Sequence, residues 1–252
     1  MPAVTVQGVT LGEGRPTIIV PLTAATRADL LAEAAQLPQD GPDVVEWRAD
    51  RCEILHRPEK LLALGAELSR ALRGRPMLLT VRGTAEGGDG DLDDEAYAAL
   101  LLAATEAGWP DLVDVELSRP EGVLRRVVEG VHRHGVPVVM SHHDFSATPP
   151  VEELLALVGR MRALGADVAK VAVMPHSPED VLTVLTATRR ATADAPGEPV
   201  ITVAMGALGV VSRLGGGVFG SAATFASAGT GSAPGQPPVR GLRDALELLH
   251  GS

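Results

Sequence analysis

Residues 137–191 read PVVMSHHDFSATPPVEELLALVGRMRALGADVAKVAVMPHSPEDVLTVLTATRRA. Two short runs, PVVMS and DVAKVAVM, are dominated by Val, Ala and Met. Each is followed by a longer segment, VEELLALVGRMRALG and PEDVLTVLTATRRA, whose apolar residues recur at three- and four-residue spacing. The runs predict strands and the spacing predicts helices. A strand that is apolar on both faces must be covered on both faces, and a parallel sheet packed with helices meets that demand.

The same unit extends in both directions. PTIIVPL (16–22), DVVEW (43–47), PMLLTV (76–81), DLVDVEL (111–117) and PVITVAM (199–205) read as further strands. ADLLAEAAQL (28–37), LLALGAELSRALRG (61–74), YAALLLAATEAG (97–108) and GVLRRVVEGVHRHG (122–135) read as helices, several of them closed by Gly. Successive strands lie about thirty residues apart, as βαβ units require. An eighth strand is expected at 217–224, with RGLRDALELL (240–249) as the closing helix. The pattern predicts a (β/α)8 TIM barrel occupying 1–252 as one α/β domain, with an open doubly wound sheet as the alternative. VTVQGVTLGEG (4–14) reads as a small β-hairpin closing the barrel's bottom, and FASAGTGSAPGQPP (225–238) as a loop rather than a domain boundary.

Composition narrows the partners. With 45% hydrophobic residues, 21% charged residues and a net charge of −10, the chain reads as a soluble acidic globule. That charge, with no run of Lys or Arg, argues against nucleic acid and against an anionic membrane, and leaves a small molecule. The opening MPAVTVQGVTLGEGRP has no basic end followed by an apolar run, so a cytoplasmic location is expected. Cys52 is the single cysteine, which rules out a disulfide within this chain and a zinc site of cysteine ligands; it reads as a small buried hydrophobe.

In a barrel the chemistry collects at the carboxyl ends of the strands. There the sequence places Glu46 and Arg48, Arg82, Glu116, His142 and His143, with Lys170 inside the sixth strand. Glu46 and Arg48 share one face by period two, the interior face, as an ion-pair network or as ligand contacts. Lysine usage is informative: of 22 Lys and Arg residues only Lys60 and Lys170 are lysines. Lys60 reads as a solvated helix residue. A lysine in the apolar strand DVAKVAVM loses proton affinity through desolvation, and its free amine can attack a carbonyl to form an imine; the alternative is a lysine whose long stem snorkels out of the strand end.

His142 and His143, at a strand end, suit general acid–base work, and the following Asp144 is expected to help orient an imidazole. His132 and His134 fall at the opposite end of a barrel and read as solvent-facing. No three ligands converge as a catalytic zinc needs, so no metal site is expected. GxxxxGK[ST], GxSxG and a strand followed by GxGxxG are missing, and GGDGD (87–91) reads as a turn. Arg213, Ser232 and Gln236 lie near the end, the latter two in a Gly- and Ala-rich loop that either closes over a ligand or merely connects elements.

Taken together, EWRAD (46–50), VRGTAEGG (81–88), VDVEL (113–117), SHHDF (141–145), DVAKVAVMP (167–175), AMGALGVVSR (204–213) and SAPGQ (232–236) resemble the type I 3-dehydroquinate dehydratases over nearly the whole chain. The resemblance implies a (β/α)8 barrel, a homodimer, no metal and no organic cofactor. It also implies the third step of the shikimate pathway, the loss of water from 3-dehydroquinate to give 3-dehydroshikimate. Carried over residue by residue, it makes Lys170 the Schiff-base amine and His143 the general base and acid. Glu86 becomes the acid that holds this histidine, and Glu46, Arg48, Arg82, Arg213, Ser232 and Gln236 become substrate contacts, with Arg213 on the carboxylate. The chain departs from the family at Pro21, where many relatives have a small polar residue, and at Ala207, where they have lysine; His142 stands where relatives vary. Two other readings share parts of this pattern. A class I aldolase would share Lys170 and the barrel but lack the His-Asp-Phe and SAPGQ pair, and a non-catalytic sensor would bind the same ligand without needing Lys170 or His143.

Overall fold

The computed structural model describes residues 3–229 and 235–251. The chain begins with a hairpin, β1 (Val4–Val6) antiparallel to β2 (Val9–Leu11), turned at Gln7 and Gly8. Both turn residues have left-handed φ, 46° and 81°, as the two-residue turn that matches strand twist demands.

Eight parallel strands follow in the order β10-β3-β4-β5-β6-β7-β8-β9. They are β3 (Thr17–Leu22), β4 (Val44–Arg48), β5 (Met77–Thr80), β6 (Leu112–Glu116), β7 (Val138–Asp144), β8 (Val168–Val173), β9 (Val200–Ala204) and β10 (Ala223–Phe225). A parallel bridge between Val200 and Ser221, with Ala222 N donating to Val200 O at 2.8 Å, brings the last strand against β9 and rounds the sheet into a barrel. Outside it lie α1 (Arg27–Gln36), α2 (Pro58–Ala71), α3 (Asp94–Glu106), α4 (Glu121–Arg133), α5 (Val151–Ala163), α6 (Pro178–Asp194), α7 (Val210–Gly215) and α8 (Val239–His250). None of these helices is long and apolar enough to cross a membrane.

Strand alternation sorts the interior into layers. On β4, Val45 and Trp47 pack outward among the helices, while Val44 faces inward. The inward cluster joins Ile19, Val44, Leu78, Leu112, Val139, Val168, Ile201 and Ala223 to Val4, Val6 and Leu11 of the hairpin. Two residues further along five of these strands the same face presents Glu46, Thr80, Asp114, Ser141 and Lys170, all buried. Two residues beyond those come Arg48, Arg82, Glu116, His143 and Ala172. The barrel is therefore apolar at one end and charged at the other. The hairpin seals the apolar end: Gln7 Nε2 donates to Asp111 Oδ1 at 2.9 Å, just before β6, and Gly12 lies against Pro199, just before β9.

The last strand differs from the expected 217–224. Residues Gly216–Phe219 form a 3₁₀ turn, Gly220 is left-handed at φ 103°, and the strand runs only from Ala223 to Phe225. A run of three glycines has no side chains to stabilise a strand, and at Gly217 a Cβ would lie 2.2 Å from the Pro16 ring, so this turn packs where a strand cannot. Cys52 is buried and Lys60 exposed. His132 and His134 are exposed, and His132 Nε2 meets Asp167 Oδ2 at 2.7 Å.

On the outer face Trp47 and Trp109 form a tilted pair with centroids 5.7 Å apart. A Cβ on Gly65 of α2 would sit 2.5 Å from the Trp109 ring. Alanine gains about 1 kcal/mol over glycine in an exposed helix. Here the clash with a ring wedged into the core outweighs it, and Gly65→Ala is expected to lose about 1–3 kcal/mol overall. Urea unfolding followed by the fluorescence of these two tryptophans, the only ones in the chain, checks this. Unchanged or increased stability would mean that Trp109 is free to move.

Candidate active site

The charged end of the barrel is organised around Arg82, which follows β5 and is 3% exposed. Its Nη2 donates to Asp114 Oδ1 at 2.8 Å. Its Nη1 donates to Ser141 Oγ at 2.8 Å, Glu116 Oε1 at 3.2 Å and Glu86 Oε2 at 3.4 Å. Burial alone would lower its proton affinity, but the carboxylates of Asp114, Glu116 and Glu86 hold it above the ordinary arginine value. Arg48 is pinned through both arms of its fork to Asp50, at 2.8 Å each, and Glu46 Oε1 accepts from Thr80 Oγ1 at 2.9 Å.

Glu86 reaches the pocket on the 3₁₀ turn Thr84–Glu86, anchored where Gly83 N donates to Glu116 Oε1 at 2.8 Å. The two glycines that follow are steric requirements. A Cβ on Gly87 would lie 2.4 Å from the Phe145 ring, and one on Gly88 would lie 2.1 Å from the Arg82 carbonyl oxygen. Glu86 Oε2 accepts from the His143 backbone N at 3.2 Å and meets its Nδ1 at 2.9 Å, while Phe145 stacks on the imidazole at 6.5 Å. With Nδ1–H engaged, Nε2 is the nitrogen left for a ligand. Burial, then the nearby Arg82, Lys170 and Arg48 charges, drives His143 well below the usual histidine range, so it is neutral. Burial pushes Glu86 up to about 7, against the pull of Arg82 and with the help of Glu116 and Asp114.

Lys170, on β8, is 4% exposed; its Nζ lies 3.7 Å from Asp114 Oδ2 and 4.5 Å from the Phe225 ring centroid. Burial lowers its proton affinity below that of an ordinary lysine, more than Asp114 and Glu46 restore it, and Arg82 and Arg48 add to the lowering. The arrangement rules out a snorkelling lysine, since the amine points into a buried cluster. Arg213, on α7, is pushed down to about 10 by burial.

Glu46, Arg48, Arg82, Glu86, His143, Lys170, Arg213 and Gln236 all line one pocket, closed on its apolar side by Phe145, Ala172, Val203, Met205 and Phe225. Ser232 lies outside the described residues. Gln236 arrives because Gly235, left-handed at φ 78°, crosses directly over Gly206, where a Cβ would lie 2.2 Å from the carbonyl oxygen. His142, the neighbouring histidine, does not line the pocket. The expectation for Asp144 is corrected: its carboxylate accepts from Ser146 N at 2.7 Å and Ala147 N at 3.1 Å, capping the turn after β7, and the imidazole is held by Glu86 instead. Sequence reasoning passed over Asp114, although the alternation in VDVEL puts it on the face of Glu116. Asp50, Thr80 and Ser141, which hold the charged residues in place, were also passed over. No group of three or more metal-ligating side chains occurs among the described residues.

The model of the type I 3-dehydroquinase family matches residues 18–252. The chain is 46% identical over 250 residues to the 3-dehydroquinate dehydratase of Listeria welshimeri, covering 99% of each. To that of Klebsiella pneumoniae it is 43% identical over 247 residues, covering 98% of each. Among solved structures it is similar to the type I 3-dehydroquinate dehydratase from Clostridium difficile with covalent modified comenic acid, at TM-score 0.96 and 39% identity over 99% of both chains. The enzyme from Geobacillus kaustophilus matches at TM-score 0.94 and 39% identity, over 98% of this chain and 96% of that one. With its barrel, its pocket and these likenesses end to end, the chain belongs to the type I 3-dehydroquinase family.

Proposed function

We propose that this barrel is a hydro-lyase that removes water from 3-dehydroquinate through an imine on Lys170 to give 3-dehydroshikimate, in the cytoplasm and as a homodimer. The observation that carries the reading is the pairing in one buried pocket of a lysine with lowered proton affinity and a neutral imidazole whose Nδ1 is held by Glu86. An amine of that kind adds to the C3 ketone, and loss of water leaves a cationic iminium. The iminium accepts the electron pair released when His143 takes a proton from C2. The pair then moves back to form the C1–C2 double bond as the C1 hydroxyl departs, protonated by the same histidine. Hydrolysis of the iminium releases the product and restores Lys170. No metal or organic cofactor is called for in any step.

The substrate is an anion; Arg213 and Gln236, which line the pocket, would take its carboxylate, and the family resemblance adds Ser232 as a further contact. Glu46, Arg48 and Arg82 line the wall where the ring hydroxyls would sit. Arg48 and Arg82 are already held by Asp50 and by the Asp114 cluster, so they present a fixed edge to the substrate and lose little conformational freedom on binding.

Borohydride added to the enzyme with 3-dehydroquinate is expected to leave a single adduct, mapped to the Lys170 peptide, and Lys170→Ala is expected to abolish both adduct and turnover. Binding without an adduct would leave a sensor and sink the imine. His143→Ala is expected to lower kcat by about 10²–10⁴-fold while the imine still traps, as rapid-quench mass spectrometry would show. Because folding raises the Glu86 carboxyl from 4.5 to about 7, its stabilising share is complete below pH 4.5 and is lost as pH rises through about 7. Glu86→Gln should therefore melt above the wild type at pH 8 but not at pH 4, and an equal difference at both would refute the raised value.

A further inference from the structure

Asp114, on β6, is 1% exposed, and its two carboxylate oxygens have unequal surroundings. Oδ1 accepts from Arg82 Nη2 at 2.8 Å and from Ser141 Oγ at 2.7 Å. Oδ2 accepts no hydrogen bond from any described residue, and 3.7 Å from it stands Lys170 Nζ. That separation is too long for a hydrogen bond but is well within ion-pair range. A buried carboxylate oxygen with no donor carries a large desolvation cost unless a charge offsets it. On another side the amine meets the Phe225 ring, which also favours a cation.

Over the proposed reaction this nitrogen is neutral while it attacks and becomes a cationic iminium once water has left; before attack, the carboxylate and the ring favour its ammonium form. A carboxylate fixed beside it therefore opposes the first step slightly and supports the intermediate that follows. We propose that Asp114, oriented by Arg82 and Ser141, is a positioning residue whose Oδ2 serves as counter-ion to the Lys170 nitrogen, first as ammonium and then as iminium. The proposal rests on the imine reading and deepens it.

Other charged groups also face Lys170. Glu46 and Arg48 do so from β4, Arg82 from the end of β5, and His143 from β7; Arg213 lines the same pocket. Of the two carboxylates that favour the charged lysine, Asp114 has the greater effect, and Glu46 already accepts from Thr80.

Asp114→Asn tests this. The amide keeps an oxygen for Arg82 and Ser141 but turns an NH₂ toward the lysine, so shape is conserved and the charge is lost. The chain has two lysines, and Lys60 is exposed. Competitive labelling with acetic anhydride across pH, without substrate, therefore titrates Lys170 against Lys60 as an internal standard. The Lys170 midpoint is expected to fall by about one unit or more in Asp114→Asn, while Ser141→Ala, which leaves the charge in place, does not lower it. With 3-dehydroquinate present, the borohydride-trapped fraction and kcat should drop further than KM changes. An unmoved Lys170 midpoint in folded Asp114→Asn would overturn the proposal. Should that variant fail to fold, Lys170→Met supplies the test from the other side. It strands the carboxylate, so it should melt below the wild type at pH 7, with the gap closing in acid; a gap independent of pH would refute the pairing. A wild type that labels as expected but never traps substrate would instead sink the imine reading and leave the ion pair standing.

Discussion

A guanidinium shut away from water must be ringed by acceptors, and Arg82 obtains them from several elements at once: the turn after β5, two positions on β6 and one on β7. Breaking such a cluster by removing one member leaves uncompensated buried charge, which is far more damaging than never having built it. The cluster therefore fixes the spacing of the strands that supply it. Lys170 and His143 inherit their positions from that spacing, since Asp114 lies between Arg82 and the lysine and Glu86 between Arg82 and the imidazole.

The reactivity of the pocket follows from one cause acting on different charge types. Desolvation is the largest influence on Lys170, His143 and Glu86 alike, and it disfavours whichever form is ionised. It frees the amine to be a nucleophile, keeps the imidazole neutral so that it can accept a proton, and raises the carboxyl toward neutrality beside it. The same apolar walls that enclose a ligand thus also prepare the groups that would act on it.

Most of the barrel was readable because its strands are buried on both sides and so read as continuous apolar runs. Lys170 stood out because a strand such as DVAKVAVM has no other reason to hold a charge. The eighth strand was misplaced because the glycines of 215–217 carry no periodicity, and the turn they form is dictated by packing against Pro16, a contact between residues about two hundred positions apart. Asp144 was misread for a similar reason: its nearness to His143 in sequence suggested a partner, but consecutive strand residues face opposite ways. The true partner, Glu86, lies 57 residues away in the chain. Asp114 escaped notice because it lies inside the strand, two residues before the carboxyl end where Glu116 drew attention, and only the third dimension places it beside an amine.

The axial layering also separates two kinds of tolerance to change. At the hairpin end the interior residues contribute volume and little else, so aliphatic side chains there can be exchanged for one another provided the space stays filled. At the open end the charged positions are defined by the sign and reach of their charge, and no neutral replacement of equal size is equivalent there. A chain built this way can drift in sequence below while its chemistry stays constant above. Conversely, an engineer could rewrite the reaction at the mouth without repacking the floor that holds the barrel together.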